Sequence, residues 1–405
     1  MEYSLKRLLG LQAFKINGIE TTGPELIFAV TPRRRTADCP RCHRRCSQVH
    51  GYFKHQRIKH IRIGSRLSLL SLTKRRFDCD HCGRVFTERI GGIKYRHRIS
   101  QPAKEQVLSH LVDRSFRAAT KQTGIGYHSS RRYLTEKVTP FIWDWLEELT
   151  NNEDISLGMD EISFSGHDMI RVLTNVSGKK LKTILPDDTR LTLWRAVKWI
   201  PPNIYSRIKE VAIDLSRENR LCVKKYFPQA KVVADRFHVL QYAKWQINEE
   251  RTALAAQIGR GYKLPKGLFE INREDLTNLE HLKLKVWFSS FPSLRVYWQA
   301  KETLRDMYRQ RNKAKAAKIL DGLIARMAES HDRDLKKWGR TLARWYEPIL
   351  NFFDKRTTNG FTEGVNTKLK LVKRISYGFR NREVFIRKAM LAFIPFAVLL
   401  PHLTA

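Results

Sequence analysis

Four short apolar runs set the pattern of this chain. Ser156-Leu-Gly-Met-Asp160-Glu161 ends in an acidic pair, and Met169 to Val176 follows it. Glu210-Val-Ala-Ile-Asp214 and Lys231-Val-Val-Ala-Asp235 each close on an aspartate. Runs of this length bounded by turn formers predict buried strands, and the intervening Thr189–Trp199 and Arg217–Phe227 predict helices. Strands alternating with helices predict a sheet with crossover connections. The acids then fall at the C-terminal ends of strands, where α/β sheets bind ligands.

Other stretches read differently. Residues 1 to about 35 alternate apolar and polar positions (Tyr3, Leu5; Ala13, Ile16; Leu26, Phe28, Val30), a small strand-rich lead-in. From Leu240 to about Phe352 the spacing is helical and rich in Leu, Trp and Lys/Arg. Trp245, Trp287, Trp298, Trp338 and Trp345 recur there as core anchors of a helical bundle, with base stacking by one or two of them as the alternative. Gly259 to Pro265 reads as an exposed loop. Met390 to Leu400 is apolar but interrupted by Pro395, and is too short for a bilayer span of roughly 20 residues. It reads as a terminal helix docked on a core.

Charge changes the picture. The 405 residues hold 76 Lys+Arg against 40 Asp+Glu, a net +36, which points to a polyanion, most simply nucleic acid. No basic amphipathic helix beside a lipidation signal supports a membrane-surface role. The N-terminal Met1-Glu-Tyr-Ser-Leu-Lys-Arg lacks the apolar core of a secretory signal, so a cytosolic setting is expected. Against such a background, acids on buried strands need a reason, because an unpaired buried carboxylate costs on the order of 1–3 kcal/mol or more. Clustered carboxylates that hold Mg²⁺ or Mn²⁺ are one answer. The other is that each aspartate caps the helix behind it. Three acids in register favour a site.

Cys39-Pro-Arg-Cys42 and Cys79-Asp-His-Cys82 are two Cys-x-x-Cys knuckles, the sequence form of a structural four-thiolate zinc site. Two strands crossing between Ile58 and Arg76 would bring them together. A disulfide or redox pair is the competing reading, disfavoured without a secretion signal. His43 or His81 is a weaker ligand candidate, Cys46 a nearby spare, and Cys222 a small buried apolar residue. Within a helical interval from Gln101 to Thr150, Ser115 to Leu134 has the layout of a helix-turn-helix. Ala119 falls at the helix crossing, Gly124 in the turn, and Ile125 and Leu134 in the small core. His128, Ser129, Arg131 and Arg132 then face DNA; an ordinary helical hairpin is the plain alternative. Near the C-terminus Asn359, Glu363 and Asn366 share one helix face, beside the basic Lys368, Lys370, Lys373 and Arg374.

Asp160, Asp214 and Glu363, with the helical stretch between the last two, resemble the triad of DDE transposases of bacterial insertion sequences. The likeness is to the ISL-three type and runs from the first knuckle to about Arg387. It is carried by the knuckles, the helix-turn-helix, Asp-Arg-Phe-His at 235–238, Thr-Asn-Gly-x-x-Glu-Gly-x-Asn at 358–366, the following Lys-Leu-x-Lys-Arg, and Tyr-Gly-Phe at 377–379. The resemblance implies a multidomain α/β protein: a ribonuclease-H-like catalytic core with a large helical insertion, preceded by a zinc ribbon and a helix-turn-helix. The implied divisions are 1–98 (zinc ribbon), 99–150 (helix-turn-helix), 151–240 (first part of the core), 241–352 (insertion) and 353–405 (second part of the core). It favours Asp214 over Asp235 as the second acid, so that Asp160, Asp214 and Glu363 hold two Mg²⁺ or Mn²⁺ ions. His238 would orient the scissile phosphate or a metal-bound water with Asp235 positioning it, unless both are structural. Glu161 falls on the opposite strand face and is not assigned to the metals.

The implied function is metal-dependent cleavage and transfer of double-stranded DNA, at transposon ends and target. The zinc ribbon and helix-turn-helix would recognise terminal inverted repeats, while Lys368, Lys370, Lys373 and Arg374 contact the backbone with steep salt dependence. A homodimer or higher assembly on DNA, in a nucleoid-associated, bacterial cytoplasmic setting, is expected. A DNA-binding regulator or decayed transposase, or a nuclease that cuts without joining, are the alternatives.

Overall fold

The computed structural model describes residues 6–91, 93, 98–259 and 263–400. They form two compact units, Met1–Phe141 with Leu369–Ala405, and Ile142–Lys368. Of the expected features, Tyr3 and Leu5 of the lead-in and residues 260–262 of the loop lie outside the described residues.

In the first unit β1 (Phe14–Thr22) and β2 (Glu25–Pro32) form an antiparallel pair turning at Gly23, whose φ of +54° suits glycine. Two very short strands, β3 (Ala37–Asp38) and β4 (Arg45–Cys46), carry the first knuckle between them. The stretch between the knuckles is a long hairpin, β5 (Val49–Ile63) and β6 (Arg66–Asp78), and β7 (Val85–Thr87) pairs with β6. The sheet order is β1-β2-β6-β5, with β2 parallel to β6. Register explains how distant cysteines meet: Val49 lies opposite Phe77, so chain leaving one knuckle returns beside it at the other. Phe14, Phe28, Val30, Ile58, Leu70 and Leu72 make the sheet's buried core.

Three helices follow: α1 (Gln101–Asp113), α2 (Phe116–Thr123) and α3 (Tyr127–Val138). Ser100 and Ser115 cap the first two through their hydroxyls, and α2 stops at Gly124 in the left-handed region. Ala119, Ile125 and Leu134 are fully buried.

The second unit is built on a five-stranded sheet, ordered β10-β9-β8-β11-β12. Strands β8 (Ile155–Ser165), β9 (Asp168–Asn175) and β10 (Lys180–Leu185) form an antiparallel meander. The expected helices appear as α4 (Arg190–Val197) and α5 (Arg217–Tyr226). They are followed respectively by β11 (Ile208–Ile213), parallel to β8, and β12 (Lys231–Ala234), parallel to β11. β10 has no apolar signature, because its buried Lys182 pairs with the equally buried Glu148 at 2.8 Å.

The helical stretch comprises α6 (Arg236–Ile258), α7 (Asn278–Ser290), α8 (Pro292–Arg309), α9 (Lys313–Glu329), α10 (Arg333–Arg344) and α11 (Tyr346–Lys355). These helices share one continuous apolar core with the sheet, in which Trp338 and Trp345 are buried and Trp287 and Trp298 pack at the edge. Trp245 departs from the core reading: it is 48% exposed.

Helix α12 (Gly360–Ile375) straddles the boundary between the units, and α13 (Arg382–Leu391) follows. Residues through Lys368 group with the sheet of the second unit, whereas α13 packs on α3 of the first, burying Val384, Phe385 and Ile386. Within the helical region expected over 99–150, residues through Phe141 group with the first unit and a short helix at Leu146–Thr150 with the second. The helix expected over Met390–Leu400 is corrected. α13 ends at Leu391, and Pro395, which has no N–H to donate, starts a separate turn at Phe396–Leu399. Among the described residues no helix is long and apolar enough to cross a membrane.

Candidate active site and cysteine cluster

The sulfurs of Cys39 and Cys82 lie 3.6 Å apart, those of Cys42 and Cys79 lie 3.4 Å apart, and all four fall within 4.8 Å of one another. A tetrahedral zinc with bonds of about 2.3 Å needs sulfurs about 3.8 Å apart, so the donor set and spacing fit the ion. The knuckles repeat one turn: His43 N–H donates to Cys39 O at 3.0 Å and Gly83 N–H to Cys79 O at 2.8 Å, both with positive φ. His43 thus holds the turn position that glycine holds in the second knuckle. The backbone N–H of Cys82 is the main influence drawing the Cys79 thiol down to about 6. Cys46 stays outside the cluster, its thiol pushed up to about 11 by burial.

In the second unit the acids come from four places in the chain. Asp160 is on β8; its Oδ1 accepts the Glu161 N–H at 2.8 Å and its Oδ2 accepts Asn366 Nδ2 at 2.7 Å. Burial is the largest influence on this carboxyl and raises it above the usual range. The Asp214 and Glu161 charges add to that, while the Glu161 N–H and His238 oppose it. Asp214 follows β11, and its Oδ1 accepts from Ser216 N–H and Asn219 Nδ2, each at 3.1 Å. Asp235 stands at the N-cap of α6 but does not cap it; Oδ1 instead accepts the Asn359 N–H at 2.9 Å, and Oδ2 is buried without a hydrogen-bond partner. One turn on, His238 Nε2 sits 4.0 Å from Glu363 Oε1.

Asp235, His238 and Glu363 each offer a ligand atom within 4.8 Å of the others, whereas Asp160, Asp214 and Glu363 do not themselves form so tight a group. Asp160 is nonetheless tied to the same place through Asn366, which shares a face of α12 with Glu363. Glu161 points elsewhere, pairing with the buried Arg171 at 2.7 Å. Arg171 also donates to Asn219 Oδ1 at 3.2 Å, so a relay through the buried Arg171 and Asn219, from Glu161 to Asp214, orients the Asp214 carboxylate.

Several positioning residues carry no signal in the sequence. Gly158 lets the start of α12 press on β8: a Cβ there would stand 2.2 Å from Thr362 Oγ1 and 2.4 Å from Asn359 Oδ1. Thr362 donates to Asn359 Oδ1 at 2.6 Å and bonds Thr174 Oγ1 at 2.7 Å, all three residues fully buried. This lock sits one residue before Glu363. Beside it, the buried Glu210 accepts the hydroxyls of Ser156 and Thr357.

A cavity of about 1090 Å³ opens beside Asp214 and His238. Arg217, Arg220, Lys224 and Arg344 line it, together with Trp245 and Trp345. Arg220 lies over the Trp345 ring at 5.2 Å, and Trp245 stacks on Tyr242 with centroids 5.5 Å apart. In the first unit His128, Arg131 and Arg132 on α3 are exposed and Ser129 is half-buried. Lys368, Lys370 and Arg374 on α12 are exposed, and Lys373 is half-buried.

A cleft with cationic walls, lined by Asp214 and by a His238 that has Asp235 and Glu363 within reach, suits a polyanionic ligand. Residues 157–389 match the profile of transposases of the ISL3 type, and residues 35–82 match that of the zinc-finger of transposases IS204/IS1001/IS1096/IS1165. The chain belongs to the ISL3 family of DDE transposases, enzymes that cleave DNA and transfer its strands. It is similar to the transposase for insertion sequence element IS1001 of Bordetella parapertussis, 24% identical over 404 residues, covering 96% of this chain and 97% of that one. It is also similar to the transposase for insertion sequence element IS1557 of Mycobacterium tuberculosis, 25% identical over 263 residues, 58% and 59% of the two chains.

Proposed function

We infer that this transposase binds the terminal inverted repeats of its element and cuts and joins strands at a site made by Asp160, Asp214 and Glu363, on a ribonuclease-H-like core. The observation that carries this is that Asp214 and His238 line the basic cleft, with Glu363 4.0 Å from His238 and Asp160 bonded to Asn366 on the same helix face as Glu363. The sheet order, a three-stranded meander followed by two parallel strands, supports the core assignment.

The donor set is carboxylate oxygens, which suits hard cations such as Mg²⁺ or Mn²⁺. When bound, such ions supply a nucleophilic oxygen at neutral pH and charge stabilisation for in-line phosphoryl transfer. Asp214 is the better second ligand because it lines the cleft, whereas Asp235 is 1% exposed and one of its oxygens accepts the Asn359 N–H. Asp235 then positions His238, whose imidazole faces both Glu363 and the cleft and is placed to hydrogen-bond the scissile phosphate. Asn366 and Asn219 hold the Asp160 and Asp214 carboxylates in orientation. Arg217, Arg220 and Lys224 neutralise the strand entering the cleft.

End recognition falls to the zinc ribbon and the α2–α3 pair, read as a helix-turn-helix with His128, Ser129, Arg131 and Arg132 on its DNA face. Lys368, Lys370, Lys373 and Arg374 contact the backbone. Two ends must meet for joining, so at least a homodimer forms on DNA, in a bacterial cytoplasm. The test is cleavage and joining of labelled end DNA with Mg²⁺ or Mn²⁺. Asp160→Ala, Asp214→Ala and Glu363→Ala should each bind and yield neither product; an Asp214→Ala protein that still cuts would overturn the assignment.

A further inference from the structure

One block that carried the family likeness, Tyr377-Gly-Phe, has no part in the site described above. Tyr377 is 94% exposed, the largest exposure among the large hydrophobic side chains described, and its φ is +58°. A left-handed non-glycine residue is strained, and a ring in solvent returns nothing to the fold. The loop bearing it is nevertheless held firmly. Tyr377 and Gly378 N–H donate to Arg374 O and Lys373 O, each at 3.0 Å. Lys388 Nζ donates to Ser376 Oγ, and Phe379 turns inward against Phe385 with centroids 5.2 Å apart. Asn381 caps α13 through the Val384 N–H at 3.0 Å. The loop is thus fixed at both ends with its aromatic ring held outward.

The surroundings indicate which ligand. Tyr377 and Arg380 form one wall of a groove of about 680 Å³, and Arg117, Lys121 and Tyr127 line it from α2 and α3. Its lining holds three cations and no carboxylate. Everything in it belongs to the first unit.

We propose that the loop 376–381 is a second DNA-reading element: the groove holds the phosphodiester backbone of a duplex, and the Tyr377 ring reaches the bases beside it. This rests on the reading of the first unit as the DNA-end-binding head and extends it to a segment that follows the catalytic glutamate in sequence. The cations supply backbone affinity, and the ring supplies a stacking or wedging contact.

The test uses the full chain and a labelled duplex carrying the terminal sequence of the element that encodes it, titrated over a range of salt. Tyr377→Phe should bind as wild type and Tyr377→Ala about tenfold more weakly. Arg117→Ala with Arg380→Ala should reduce the slope of log affinity against log salt by about 2, one phosphate contact per arginine. Tyr377→Gly separates a binding role from a structural one: it should raise the melting temperature, by relieving the left-handed strain, while weakening binding. Arg131→Ala with Arg132→Ala reports on the underlying reading. If that variant loses binding while Tyr377→Ala and the Arg117/Arg380 pair bind as wild type, the loop proposal is wrong and the head reading stands. If none of these variants changes binding, both are wrong.

Discussion

Gly158→Ala is a one-methyl change that tests how Glu363, the proposed metal-holding glutamate, is held. The added Cβ would stand 2.2 Å from Thr362 Oγ1, 2.4 Å from Asn359 Oδ1 and 2.6 Å from Thr174 Oγ1, where ordinary contacts begin near 3.4 Å. None of the three can swing into solvent, since each is fully buried and they bond one another at 2.6 and 2.7 Å. Either α12 lifts from β8 by about 1 Å or the hydroxyl lock breaks. Overpacking costs about 1–3 kcal/mol and a buried polar group left unbonded about 1–3 more, so a loss of about 3 kcal/mol is expected. In a unit of this size that lowers the melting temperature by roughly 6–12 °C. Glu363 adjoins Thr362, and a displacement of about 1 Å costs on the order of 100-fold in rate. Calorimetry and a cleavage time course on the same preparation measure both. Gly364→Ala is the control: a Cβ there meets nothing within 4 Å, and alanine stabilises an exposed helical position by up to about 1 kcal/mol over glycine. Cleavage and melting of Gly158→Ala equal to wild type would refute the close approach of α12 to β8.

Three further outcomes follow from the same geometry. Cys42→Ser should release the zinc, measurable by metal analysis, and unfold the knuckles without altering the second unit's far-ultraviolet signal. Asn219→Ala should raise the Mn²⁺ concentration for half-maximal cleavage by about 10–100-fold, with smaller change at saturating Mn²⁺, because Asn219 orients Asp214. His60 is buried against Ser100 and Leu9 O, and burial lowers its pKa to about 4. Its folded value lies below the unfolded value near 6.5, so its contribution is present above pH 6.5 and lost as pH falls toward 4. The loss is about 3 kcal/mol by linkage, and denaturant melts of His60→Asn should show a flatter acid limb.

Legibility varied with the physics behind each element. The strands at Ser156, Met169, Glu210 and Lys231 were readable because both faces of the sheet are covered, leaving nearly continuous apolar runs. β10 escaped because its interior position is a lysine neutralised by Glu148, a pairing that spacing does not encode. The knuckles were legible as ligands, while the register that joins them belongs to a hairpin whose exposed, basic face hides its period. Nothing in the spacing of α13 says which core it serves, so its docking on α3 was unreadable. Asp160, Asp214 and Glu363 stood out as acids on apolar or basic elements. Gly158, Thr174 and Asn219 act only through contacts made after folding.

The central claim is that Asp160, Asp214 and Glu363 hold the reactive ions while Asp235 only positions His238. Anomalous scattering from crystals grown with Mn²⁺ tests it directly, because each ion is located by its own signal. The account predicts manganese bonded to the Asp160, Asp214 and Glu363 carboxylates, and the same sites occupied in Asp235→Asn. Manganese bonded to Asp235, His238 and Glu363, with Asp214 unligated, would contradict it.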